Sequence, residues 1–172
     1  PVTEVRGAFD PDSNQIICAY TKVTAKVVLG TVSGTSISFG AIVSAPGASS
    51  GSDNNGVCYD TQTNKIVLAY ADGTSSGNGR IATGTVSGTT LSFASPAATF
   101  NGSYITKHTF ATFDSTNNKV VVGYEENNAS GEALVFQAAG SGPNNTSFIG
   151  ITAEAISNTA TGAVNVYGGI NT

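Results

Sequence analysis

Unbroken apolar runs and alternating runs take turns along this chain, and neither follows a helical period. Ile16-Ile17-Cys18-Ala19-Tyr20, Ile66-Val67-Leu68-Ala69-Tyr70 and Val120-Val121-Val122-Gly123-Tyr124 carry no charged or amide side chain at any position. Ser36-Ile37-Ser38-Phe39 and Thr90-Leu91-Ser92-Phe93 alternate instead. Successive side chains of a strand point to opposite faces, so alternation predicts a strand with one wet face. A run with no polar position predicts a strand covered on both faces. No stretch sustains a helical spacing of apolar residues, so helix content is predicted close to nil.

These runs belong to an internal repeat. Phe9-Asp10-Pro11-Asp12-Ser13-Asn14-Gln15-Ile16, Tyr59-Asp60-Thr61-Gln62-Thr63-Asn64-Lys65-Ile66 and Phe113-Asp114-Ser115-Thr116-Asn117-Asn118-Lys119-Val120 superpose without a gap, at intervals of about 50 residues. Gly30-Thr31-Val32-Ser33-Gly34-Thr35 returns as Gly84-Thr85-Val86-Ser87-Gly88-Thr89. The second interval is slightly longer, and its extra residues fall in the Gly/Ser/Asn stretch between Ala71 and Gly79. Each unit reads as four short strands. An aromatic-ended strand enters an Asp-x-x-x-Asn turn, whose Asx side chains cap backbone groups and tolerate left-handed geometry. The apolar strand follows, then a third strand ending in a Ser-Gly turn, then the alternating strand.

A two-sheet sandwich would leave one face of every strand wet and give alternation throughout. Four-stranded sheets stacked face to face give continuous apolar runs in the inner strands and alternation outside. The predicted fold class is therefore all-β, with about three four-stranded antiparallel propeller-like blades in an open or oligomer-completed array. The units run over 1–50, 51–104 and 105–147, with a C-terminal hairpin or cap over 148–172, all in one β-repeat domain. Small residues at Ala19, Ala69 and Gly123 mark a column where another backbone comes close. Closed propellers hold about 4–8 blades, so the end faces of three need a partner. Either the parent chain is longer or copies associate, and a homo-oligomer is the expectation.

The segments at 59–70 and 84–93, Tyr-Asp-x-x-Thr-Asn-Lys-Ile-Val-Leu-Ala-Tyr and Gly-Thr-Val-Ser-Gly-Thr-Thr-Leu-Ser-Phe, resemble repeats of tail and fibre structural proteins of tailed bacteriophages, particularly aquatic ones. Phe148-Ile149-Gly150-Ile151 through Gly168-Gly169-Ile170-Asn171 is similar to the segment that follows such repeats. The resemblance spans most of the chain, from about Gly7 to Thr172. It implies a virion protein of a tail fibre or tail-associated part, with other virion proteins as partners and a host-surface glycan as a candidate ligand. Related repeats occur in bacterial surface proteins, so the alternative is a cell-surface or secreted β-repeat protein that forms a filament or binds polysaccharide.

Composition narrows the chemistry. Charged residues make up 10% of the 172, against about 25% in an average soluble domain, so the surface is a neutral coat of hydroxyls and amides. A net charge of -4 argues against a nucleic-acid partner, which needs clustered Lys and Arg. No apolar run approaches the ~20 residues of a membrane-spanning helix, so membrane insertion is not expected. The two cysteines, Cys18 and Cys58, sit in apolar runs outside any metal-binding spacing, and the sequence leaves their pairing open.

No enzyme is expected. His108 is the lone histidine, no G-x-S-x-G elbow accompanies it, and the adjacent Glu125 and Glu126 point oppositely in a strand. Two weaker sites were weighed. Asp10-x-Asp12-x-Asn14 has the oxygen ligands of a calcium loop, but Gln62 and Thr116 replace Asp12 in the other units and no closing Glu follows. An Asx-stabilised hairpin turn is the favoured reading, with calcium as the only candidate cofactor. Asn101-Gly102-Ser103-Tyr104 sets an aromatic beside polar groups, as sugar sites do, so Tyr104 and Asn101 are the candidate glycan-binding residues.

Overall fold

The computed structural model describes residues 2–49, 53–73, 77–102, 106–126, 130–138, 147–152 and 164–165. Every regular element among them is a strand, and every strand pair is antiparallel. The first sheet contains β1 (Thr3–Asp10), β2 (Gln15–Lys22), β3 (Thr24–Ser33), β4 (Ser36–Phe39) and β5 (Val43–Ser44). The second contains β6 (Asp53–Asp60), β7 (Lys65–Ala71), β8 (Gly79–Ser87), β9 (Thr90–Phe93) and β10 (Ala98–Asn101). The third contains β11 (Thr106–Asp114), β12 (Lys119–Glu126), β13 (Ser130–Gln137), β14 (Ser147–Thr152) and β15 (Val164–Asn165).

Each repeat thus becomes one meandering sheet, because hairpin turns join strands adjacent in the chain. The turn after β1 shows why. Asp10 Oδ1 accepts the backbone N–H groups of Asp12 at 2.9 Å and Ser13 at 3.2 Å, while Oδ2 accepts the Ser13 hydroxyl at 2.6 Å. Asn14 closes the turn at φ 53°, a conformation that Asn tolerates better than most residues. Asp60 with Asn64 and Asp114 with Asn118 repeat this arrangement. The fourth strand is broken in two: β4 pairs with one end of β3 and β5 with the other, as β9 and β10 do along β8. The residues from 148 on, expected as a C-terminal cap, contribute β14 to the edge of β13 and β15 to the edge of β14.

Two cores hold the sheets together. Ile17, Ala19, Ala25, Val27 and Leu29 of the first sheet meet Val57, Tyr59, Ile66, Leu68 and Tyr70 of the second. On the other side of the second sheet, Cys58, Val67, Ala69, Ile81 and Phe100 meet Val120, Val122, Tyr124, Leu134 and Phe136 of the third. Consequently β7 is buried at every position from Ile66 to Ala71, as its unbroken apolar run requires. Full burial of a residue such as Ile66 or Leu68 contributes about 2 kcal/mol by transfer from water. The end sheets differ. In β2 full burial alternates with half-burial, and β12 leaves Val121 half-buried, so of the three apolar runs only that of β7 is buried at every position.

The sheets approach most closely along their first strands, with β6 set against both β1 and β11. Gly56 sits at one of these close approaches. A Cβ there would lie 2.5 Å from the carbonyl carbon of Phe110 and 2.7 Å from the Ala111 nitrogen. Polar groups also cross the first junction: the Tyr59 hydroxyl donates to Asp12 Oδ2 at 2.7 Å, Asn55 Nδ2 to Thr21 Oγ1 at 2.9 Å, and the Tyr70 hydroxyl to the Pro46 carbonyl. Burial is the main cause that raises the Tyr59 and Tyr70 hydroxyl pKa values, Tyr70 to about 12.

Candidate functional site

The residues read as a calcium loop are drawn into structural duties. Asp10 is buried and both its carboxylate oxygens accept hydrogen bonds within its own turn. Asp12, exposed, accepts the Tyr59 hydroxyl from the second sheet. With the Asn64 amide oriented to satisfy its neighbours, its Nδ2 also lies 2.9 Å from Asp12 Oδ2. Asn14 is exposed at the end of the turn. Among the described residues, no group of three or more His, Cys, Asp or Glu is placed to hold a metal ion.

The glycan candidates divide. Asn101 is buried, and its Nδ2 donates to Thr106 Oγ1 at 3.1 Å, which ties the end of β10 to the start of β11. Tyr104 lies outside the described residues.

The lone histidine has a backbone role that its strand position did not reveal. His108 stands at φ 47°, where the β11–β12 register shifts between Lys107 and Phe110. Glu4 stands at φ 55° at the matching shift between Thr3 and Arg6. Both therefore mark a repeated bulge in the first strand of a sheet. The His108 side chain is largely exposed, with Nε2 3.6 Å from Glu125 Oε2. Glu125 and Glu126 do face opposite ways: Glu126 lies beside Glu132, which accepts the Tyr124 hydroxyl at 2.6 Å. Burial first, then the proximity and charge of Glu132, raises the Glu126 pKa.

The cysteines are both free. Cys58 points into the core between the second and third sheets, while Cys18 points away from the second sheet on the outer face of the first. Two sheet layers separate them, which at about 10 Å per layer is beyond disulfide reach. Burial raises both thiol pKa values, Cys58 to about 12 with a further push from Asp60.

The feature with the greatest chemical content is that outer face. Val5, Cys18, Tyr20, Val28, Phe39 and Ile42 line an open groove of about 510 Å³ across the first sheet. Phe39 is 56% exposed and Ile42 59%. Phe9 is 50% exposed, whereas Tyr59, its counterpart in the second unit, is 7% exposed against the first sheet. Ile37 at 44% and Leu91 at 4% make the same contrast. Apolar surface gathered in one exposed patch marks a contact surface. The signal was present in the sequence: Ile16, Cys18 and Tyr20 are as apolar as the covered Ile66, Leu68 and Tyr70. No protein-family model, curated protein or solved structure matches the chain.

Proposed function

We propose that the chain is a structural module of a tailed-phage virion, in a tail fibre or tail-associated part, built as an open fan of propeller-like blades. The observation that carries this reading is the uncovered apolar face of the first sheet, equivalent by repeat to a face that is buried in the second. A module that leaves such a face open is suited to a larger particle, where neighbours cover it. Crowding of β6 against β1 and β11 supports a fan in which the first strands lie innermost. The low charge supports an extracellular setting, and the repeat motifs supply the resemblance to tail and fibre proteins.

Antibodies raised against the chain test the assignment. Labelling of the tails or fibres of purified particles in electron micrographs is the expected result. Labelling confined to a bacterial envelope or to secreted filaments overturns it in favour of a surface β-repeat protein.

A further inference from the structure

The repeat supplies a template for what covers the open face. At the first junction, Ile17 and Ala19 of β2 receive Ile66, Leu68 and Tyr70 of β7. At the second, Val67 and Ala69 of β7 receive Val120, Val122 and Tyr124 of β12. Every sheet therefore has a receiving face and an inserting face, and the two alternate along the strand because neighbouring side chains point oppositely. Among the described residues, two faces have no sheet set against them. Val121 and Gly123 of β12 stand where Ile17 and Ala19 stand in β2, so the outer face of the third sheet is a receiving face. Register places Thr112 and Val135 beside Val121 on that face. Ile16, Cys18 and Tyr20 stand where Ile66, Leu68 and Tyr70 do, so the groove on the first sheet is an inserting face.

We infer that the groove face of the first sheet docks onto the outer face of the third sheet of a second copy of this chain, head to tail. The junction continues the two that already exist inside the molecule, whereas a groove-to-groove pairing has no template in it. Residues at the turns agree. Tyr59, whose hydroxyl needs an acceptor, is matched by Asp12 across the first junction. The corresponding columns hold Phe113 with Gln62 at the second junction, and Phe9 with Thr116 at the proposed one. Phenylalanine needs no acceptor, and no carboxylate is present in either of those pairs. Such a heterologous contact closes into a ring or runs on as a filament. Two copies together supply six sheets, within the span of about 4–8 blades of closed propellers. The inference names a partner for the module proposed above and rests on that blade reading.

Sedimentation of the full chain and of two face-blocked variants tests it. Phe39→Asp with Ile42→Asp blocks the groove, and Thr112→Arg with Val135→Arg blocks the opposite face; all four positions are exposed or half-buried, so the cores stay intact. At ~10 µM the wild-type chain is expected as two or more copies of 17.2 kDa, and each variant as one. Mixing the two variants restores one intact junction and should bring back a two-chain species, with association at least ~10-fold tighter than either variant shows alone. A wild-type chain that stays at one copy through ~100 µM overturns the inference. So does continued association of the Thr112/Val135 variant alone, which would mean groove-to-groove pairing or another partner surface.

A second readout needs no substitution. Cys18 lies in the proposed junction while Cys58 is buried, so alkylation of Cys18 should slow at least ~10-fold as the chain is concentrated from ~1 to ~100 µM. A rate independent of concentration overturns the inference. Either failure leaves the labelling of particles standing, and a failure of labelling leaves self-association standing.

Discussion

Replacing Gly56 by alanine tests the stacking of the second sheet on the third where β6 and β11 come close. The backbone of Gly56 is not left-handed, so alanine can adopt it, and the lost freedom of the unfolded chain would by itself stabilise by about 0.4–1 kcal/mol. Space decides the sign. The added Cβ would lie 2.5 Å from the Phe110 carbonyl carbon, about 1 Å inside the ~3.5–4.0 Å optimum for two carbons. The obstacle is β11 backbone, which cannot rotate aside, so the first strands of two sheets must part. Overpacking of this kind costs about 1–3 kcal/mol, and the backbone obstacle places Gly56→Ala near 2 kcal/mol net. Gly123→Ala is the control. Its Cβ would also meet a neighbour, at 2.0 Å, but that neighbour is the ring of Phe110, which is 52% exposed and, in a chain dilute enough to stay single, can swing outward. Urea unfolding should therefore lower the midpoint of Gly56→Ala by about 1 M, with little change in slope, and that of Gly123→Ala by much less. Equal midpoints for the two variants would refute the close approach of β6 to β11.

Two further outcomes follow from the same packing. Asp60→Ala removes the acceptor for the Gln62 and Thr63 N–H groups and the Thr63 hydroxyl in a part-buried turn, and should cost about 2 kcal/mol in chemical unfolding. Asp114→Ala makes the same deletion in an exposed turn, where water replaces the lost acceptor, so a loss as large as that of Asp60→Ala would contradict the argument. Alkaline titration probes the buried hydroxyls. Tyr59, Tyr70 and Tyr124 all have pKa values raised chiefly by burial, so the unfolded chain releases their protons first. Stability is then full below the ordinary tyrosine value of 10.0 and falls as pH rises towards about 12, where folded Tyr70 ionises. A thermal midpoint flat across that window would refute the burial of these rings.

Features legible from the residues were those set by short range. Asp10, Asp60 and Asp114 with their partner Asn residues specify hairpin turns within five residues, because the carboxylate caps N–H groups of its own loop. The bulge at His108 is not legible in the residues, since a positive φ there follows from the register of two strands and leaves no mark on composition. The surroundings of Asn101 are hidden for a related reason. Polar turn residues look alike in a sequence whether they meet water or, like Asn101, are buried against Thr106.

Turn chemistry and the strand character of the apolar and alternating runs were determined by the amino-acid sequence alone, because period-two patterning and Asx capping act between near neighbours. Which apolar face is covered was decided only by tertiary structure. Cys18 and Leu68 occupy the same column of the repeat, yet Leu68 is sealed by the first sheet and Cys18 lines an open groove. A side chain states its need for cover, but the cover itself comes from the sheet that stands opposite.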